Sequence, residues 1–136
     1  MLLERITLQN FGIYKDENIF DLTSTKEKPI ILCGGKNGGG KTTLFDSVML
    51  CLYGQNSFDK RISKKEYDDV LGRKIHKNGE KQENTSIVIE FLYNHYDRKE
   101  KIEKDNHIQK YTVTRSWKKI DGEIIEKFTV EKMAKN

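Results

Sequence analysis

The chain has 136 residues, with 25 Lys and Arg against 21 Asp and Glu and a formal net charge of +4. At 35% hydrophobic and 34% charged it is long enough for one domain but lean in apolar residues, a balance that suits half a domain better than a whole one. No stretch approaches the roughly 18 apolar residues of a membrane span, and Glu4 and Arg5 stand where a signal peptide would have its apolar segment, so an intracellular, cytoplasmic protein is expected.

In chain order, Leu2 to Leu8 alternates enough to predict a strand, Asn10-Phe11-Gly12 a turn, and Tyr14 to Asp21 the hairpin partner. Leu22 to Lys28 is polar and reads as a loop. Pro29-Ile30-Ile31-Leu32-Cys33, which opens with the only proline, predicts a short buried parallel strand.

Directly after it comes Gly34-Gly35-Lys36-Asn37-Gly38-Gly39-Gly40-Lys41-Thr42-Thr43, in which Gly35, Gly40, Lys41 and Thr42 fit G-x-x-x-x-G-K-[ST]. Five of the ten glycines lie between residues 34 and 40, as expected of a backbone that approaches a ligand closely. Residues 35 to 43 predict a phosphate cradle in which successive N–H groups and a helix N-terminus face the phosphates. In such a loop Lys41 reaches the β- and γ-phosphates as the catalytic charge, and the Thr42 hydroxyl binds the Mg²⁺ that bridges them. Asn37 either donates to phosphate or serves as a turn residue tolerant of left-handed geometry.

Leu44, Phe45, Val48, Met49, Leu50, Cys51, Leu52 and Tyr53 are apolar at almost every helical angle, and Gly54 is placed as the stop. Strand, loop and helix together are the context the glycine motif requires. From Gln55 to Asn84 the pattern is lost, and a loop with one short helix near Lys64 to Leu71 is expected. That segment carries Lys60, Arg61, Lys64, Lys65, Arg73, Lys74, Lys77 and Lys81, a patch able to take a phosphate backbone. Asp59, Glu66, Asp68, Asp69 and Glu80 dilute it, so a solvated surface loop is the other reading.

Thr85 to Tyr93, Ile108 to Trp117 and Glu123 to Val130 have the β-branched and aromatic content of strands, with Asp121-Gly122 as a hairpin turn between the last two. His95 to His107 reads as a solvated hairpin tip. Cys33 and Cys51 lack metal-ligand spacing and are expected to be small core residues, and Trp117 is expected to pack against the sheet. Two motifs are decoys. Ile87-Val88-Ile89-Glu90 resembles a Walker B strand but continues to alternate through Phe91 and Tyr93, which predicts an outer antiparallel strand instead. Asp69-Val70-Leu71-Gly72 matches D-x-x-G, yet no apolar strand precedes it and no N-K-x-D follows, so adenine nucleotide is expected.

Leu3-Glu4-Arg5-Ile6-Thr7-Leu8-Gln9-Asn10-Phe11, the loop from Gly35 to Thr43, Leu44-Phe45-Asp46-Ser47 and Leu52-Tyr53-Gly54 together resemble the N-terminal lobe of SMC-like ATPases such as SbcC, RecF and RecN. Within that superfamily Asn10-Phe11-Gly12-Ile13-Tyr14, Lys28 to Gly35, Leu50 to Gly54 and Ile75-His76-Lys77 are most similar to DndD, the ATPase family of DNA phosphorothioation. The resemblance implies an α/β P-loop NTPase fold for residues 1–136: the first lobe of a split ABC-type head, with a mixed core sheet and an added antiparallel sheet. It also implies Mg-ATP as ligand, with a coiled coil and a C-terminal lobe carrying Walker B, the signature motif and the switch histidine. The partners implied are that lobe, a second head, DNA and other Dnd subunits, with no membrane. Several relatives carry an arginine where this chain has Gly12, so a phosphate contact from that turn would have to come from its backbone, Tyr14 or Lys15.

The expected function is ATP binding and, in the completed head, hydrolysis coupled to DNA remodelling in sulfur modification. The alternatives are a repair ATPase head of the SbcC or RecF type, a nucleotide-gated DNA clamp, and a small P-loop kinase. The kinase would need an acidic base and an arginine-rich lid, whereas Arg61, Arg73, Arg98 and Arg115 are scattered.

Overall fold

The computed structural model describes residues 1–36, 40–77, 84–94 and 108–133. Strand β1 (Leu2–Phe11) and strand β2 (Tyr14–Asp21) form the first hairpin. The chain then runs through helix α1 (Lys41–Tyr53), a short 3₁₀ helix (Gly54–Ser57) and helix α2 (Lys64–Lys74). It returns as β3 (Thr85–Asn94), β4 (Ile108–Ile120) and β5 (Glu123–Lys132). The described strands form one five-stranded sheet in the order β2-β1-β3-β4-β5, each neighbouring pair antiparallel.

Register explains the core. Ile6 pairs with Ile89 and Leu8 with Ile87, while Ile89 pairs with Val113 and Thr85 with Trp117. Cross-strand partners share a face, so one side of the sheet becomes a continuous apolar surface. Leu50 and Cys51 of α1 and Tyr67 and Leu71 of α2 are buried in the same cluster. Trp117 is 1% exposed, meets Phe11 edge to face at 5.9 Å, and donates its indole N–H to the Leu71 carbonyl at 2.9 Å. The opposite face carries charge: Glu90 lies 3.4 Å from Arg5 and 3.7 Å from Lys110, which also meets Glu4 at 3.1 Å.

Turn chemistry sets the boundaries. Asp121 and Gly122 both have positive φ, +49° and +82°, the geometry of the two-residue turn their sequence predicts. Gly54 ends α1 at φ +55° and returns its N–H to the Leu50 carbonyl. Ser63 caps α2, its hydroxyl accepting from the Glu66 N–H at 3.2 Å. That cap and the buried Tyr67 and Leu71 carry the helix to Lys74, beyond the predicted Leu71.

Several expectations are corrected. Pro29–Cys33 is not a buried parallel strand: Ile30 is 77% and Leu32 91% exposed, and the segment has no regular structure. A parallel strand holds its backbone groups out of water only between neighbours, and no described strand runs beside this one. The mixed core sheet with an added antiparallel sheet is therefore replaced, among the described residues, by a single antiparallel sheet. Cys33 is exposed for the same reason, whereas Cys51 is buried as expected. The first turn falls one residue later than Asn10-Phe11-Gly12: β1 continues through Phe11, whose buried ring belongs to the core, and Gly12 and Ile13 make the turn. β3 is antiparallel as predicted but central, paired with both β1 and β4, with its Ile87 and Ile89 buried in the core. The excursion from His95 to His107 lies outside the described residues.

Candidate phosphate-binding site

Gly40 is the pivot of the glycine loop. It is buried, stands at φ +93° as the residue preceding α1, and accepts the first helical bond, from the Leu44 N–H at 2.8 Å. A Cβ there would lie 2.8 Å from both the Ile13 Cδ1 and the Tyr14 Cζ, so neither the dihedral nor the space admits another residue. The N–H groups of Lys41, Thr42 and Thr43 precede that first bond and lack intrahelical partners. No acidic side chain occupies the first turn of α1, and among the described residues no side chain caps it. Among the described residues, the positive end of the helix therefore meets no side-chain cap and no carboxylate that would compete with an anion.

Lys41 and Thr42 are exposed in this first turn. The Lys41 ammonium reaches back to donate to the Gly35 carbonyl at 2.6 Å. A Cβ on Gly35 would stand in ordinary van der Waals contact with the Lys41 stem, at 3.5 Å. Gly35 and Lys36 form the exposed approach to the loop; Asn37, Gly38 and Gly39 lie outside the described residues. Thr43 is turned inward, and a Cβ on Gly12 would meet its Cγ2 at 2.9 Å. The N–H groups of a helix first turn, a cation on a long stem and a neighbouring hydroxyl are donors that phosphate and a hard divalent ion take, so these residues fit Mg-nucleotide.

The β1–β2 turn is the element that sequence reading brought only loosely to the site. The Tyr14 hydroxyl donates to the Gly40 carbonyl at 2.9 Å, across 26 residues of chain. Burial pushes that phenol above its ordinary range, so it is a neutral donor. The turn is in turn held by α2: the Gly12 N–H donates to the Lys74 carbonyl at 2.6 Å and the His76 N–H to the Asn10 carbonyl at 2.8 Å. Nothing in a single sequence encodes a contact between positions 14 and 40; only the phenol's spacing from Asn10-Phe11 hints at it.

Neither decoy supplies an acid to the loop, although β3, expected as an outer strand, is the central one. Glu90 is engaged by Arg5 and Lys110 on the face of the sheet away from the helices. Asp69 and Gly72 lie inside α2, with no loop to move. Of the basic segment, Lys64 pairs with Asp68 and Lys74 sits 5.9 Å over the Phe11 ring. Lys60 and Arg61 line a cleft of about 500 Å³ with Gln55, Asn56, Phe58 and Ile62, while Lys81 lies outside the described residues. Among the described residues no His, Cys, Asp and Glu cluster could hold a metal, and no helix is long and apolar enough to cross a membrane.

The SbcC component of the SbcCD nuclease from Treponema pallidum (strain Nichols) is 45% identical over 51 residues, 38% of this chain and 5% of that protein. The Staphylococcus aureus (strain JH9) protein of the same name is 33% identical over 90 residues, 66% of this chain and 8% of that protein. The Staphylococcus saprophyticus counterpart is 35% identical over 57 residues, 42% and 6% respectively. The chain thus spans less than a tenth of the length of these curated relatives. They are SMC-type ATPase relatives of the SbcC kind, and the expected assignment to the DndD family finds no support beside them. The profile of the AAA domain family matches residues 5–136, nearly the full chain, and the protein belongs to that family.

Proposed function

We propose that residues 1–136 are the first lobe of an SMC-like ATPase head of the SbcC type, which binds Mg-ATP on the loop from Gly35 to Thr43 and works in DNA processing. The observation that carries this reading is the Gly40-Lys41-Thr42 corner: a glycine that its neighbours demand, a first helical turn with no acidic residue and no side-chain cap among the described residues, and a lysine bonded back to the Gly35 carbonyl. Lys41 would hold the β- and γ-phosphates and Thr42 the Mg²⁺, whose charge neutralises the triphosphate. Sulfur modification and the Dnd partners are not carried forward, since the relatives bear the name of a nuclease component.

Hydrolysis in this reading requires a C-terminal lobe and a second head. The acid that would orient water is not found at Glu90 or Asp69, and the apolar Ile30, Leu32 and Phe45 beside the loop are 77%, 91% and 67% exposed, which supports a covering lobe. A nuclease protein and DNA are the proposed partners, with Lys60, Arg61, Lys64 and Lys65 as sequence-independent phosphate contacts.

The test is nucleotide binding and turnover by the purified chain. Wild type is expected to bind Mg-ATP weakly and turn over almost none, and Lys41→Ala to abolish binding. Robust multiple turnover by residues 1–136 would sink the split-head reading, and unchanged affinity in Lys41→Ala would sink the loop assignment.

A further inference from the structure

Two loops far apart in sequence meet at one carbonyl. The Gly40 oxygen accepts from the Leu44 N–H at 2.8 Å and from the Tyr14 hydroxyl at 2.9 Å. In a trans peptide the C=O and the following N–H point in opposite directions within one plane. Whatever fixes the Gly40 carbonyl therefore fixes the Lys41 N–H, the first free donor of α1, on the side where the phosphates would lie. A helical hydrogen bond alone leaves a terminal peptide plane free to tilt, because helix ends fray. A second donor from a different element removes that freedom.

That donor is itself held. The Tyr14 ring stands edge to face against Phe20 at 5.5 Å, and the turn preceding it is tied to the end of α2 by the Gly12 and His76 N–H groups. The His76 Nδ1 lies a further 2.9 Å from the Gly12 carbonyl, and Phe11 bridges to Ile75. Gly12 also brings the turn against the Thr43 methyl, one residue beyond the metal-binding hydroxyl. The turn thus touches α1 on both sides of Lys41 and Thr42 while resting on α2.

We propose that Tyr14 is a positioning residue for the phosphate-binding loop, its hydroxyl orienting the Gly40–Lys41 peptide so that the Lys41 N–H is pre-aimed at the nucleotide's phosphates. This rests on the loop being a nucleotide site. Tyr14 touches no nucleotide atom in this scheme; it acts through Gly40. Loss of the hydroxyl leaves the ring on Phe20 and the fold intact, but lets the peptide plane tilt, so part of each binding event is spent on ordering it.

The experiment is calorimetric titration of the purified chain with Mg-ATP, for wild type, Tyr14→Phe, Phe20→Leu and Lys41→Ala, with thermal midpoints measured without nucleotide. One net hydrogen bond corresponds to about a fivefold change, so Tyr14→Phe is expected to weaken Mg-ATP about fivefold while still melting cooperatively, its midpoint lowered by no more than about 5 °C. Its Lys41 amide resonance should shift as well. Phe20→Leu, which loses packing and keeps the hydroxyl, is expected to melt earlier with affinity nearly unchanged. Wild-type affinity in Tyr14→Phe, with Lys41→Ala non-binding, overturns the positioning role and leaves the site standing. Equal loss of affinity in Phe20→Leu also overturns it, since packing would then be the cause. If Lys41→Ala binds like wild type, the phosphate site and the role of Tyr14 fall together.

Discussion

The guanidinium of Arg115 occupies the space that a side chain at Gly54 would need. Its Nη2 lies 2.9 Å from the position of a Cβ there, and its Nε donates to the Cys51 carbonyl at 3.2 Å, at the end of α1. Gly54 is buried at φ +55°. The helix that begins at the phosphate loop is therefore closed at its other end by a cation from β4, and the closure works only with glycine. Gly54→Ala is expected to lose about 1–3 kcal/mol of stability, from the left-handed dihedral and the displaced guanidinium together. Denaturant melts of both proteins check this; a difference below about 0.5 kcal/mol would mean that the arginine yields freely.

Arg115 also meets Glu126 at 3.3 Å and covers the Phe128 ring at 4.3 Å, while the Tyr67 hydroxyl donates to the same carboxylate. Burial, then the Glu126 carboxylate, raises the Tyr67 phenol far above its ordinary range, so it remains the donor. Arg115→Met is expected to cost about 2 kcal/mol, less than a fully buried broken pair because Glu126 keeps some contact with water. The double variant Arg115→Met with Glu126→Gln should lose less than the sum of the singles, and strict additivity would show that the two charges do not couple.

Much of this is legible from residues whose reasons are local. Asp121-Gly122 needs positive φ twice, Gly54 stops a helix, and Gly40 precedes one; each sequence signal acts over a few residues and each is found in place. Pro29–Cys33 departs from expectation because its burial depends on strands beside it, and apolar composition does not say whether neighbours are present. The same gap exposes Cys33. Alternation suggests an outer β3 because it reports one buried face and says nothing of rank within a sheet; the central place of β3 follows from pairing with both β1 and β4. Tyr14 on Gly40 and Arg115 on Cys51 link positions 26 and 64 residues apart, beyond any periodicity.

The two cysteines should separate chemically. Cys51 is fully buried, with its thiol 3.6 Å from the Ile87 carbonyl and 3.8 Å from that of Val113, and burial pushes it from an ordinary 9.0 up to about 12. Iodoacetamide at pH 8 should label native protein once per chain, at exposed Cys33, and twice only after unfolding. Because the folded thiol holds its proton more tightly than the unfolded one, its contribution to stability is intact below about pH 9 and is lost as pH rises toward 12. Cys51 should contribute a slope approaching about 1.4 kcal/mol per pH unit in that window, seen most cleanly between pH 9 and 10, below the range where Tyr67 adds its own, and lost in Cys51→Ala; the same slope in both proteins would remove Cys51 as the cause.

Glu90 offers a contrast between resemblance and position. Its carboxylate serves Arg5 and Lys110, both partly exposed, on the face of the sheet opposite α1. Glu90→Gln should change stability by less than about 1 kcal/mol, and Mg-ATP affinity not at all. Loss of nucleotide affinity in this variant, with its melt unchanged, would show that the acid faces the site after all.

Trp117 closes α2 as Arg115 closes α1. The last carbonyls of a helix need donors from outside it, and here the indole N–H takes Leu71, the Ile75 N–H takes Gly72 at 3.4 Å, and the Gly12 N–H takes Lys74. The second of these is long, so the indole bond and the turn carry the end of the helix. Trp117→Phe removes the donor and leaves space in the core beside Phe11, and is expected to cost about 2–4 kcal/mol. Because Gly12 belongs to the turn that holds Gly40, fraying should spread: amide exchange is expected to quicken at Ile75 and His76 and then at Leu44. Faster exchange confined to α2, with Leu44 as protected as in wild type, would show that the turn holds the phosphate loop without help from α2.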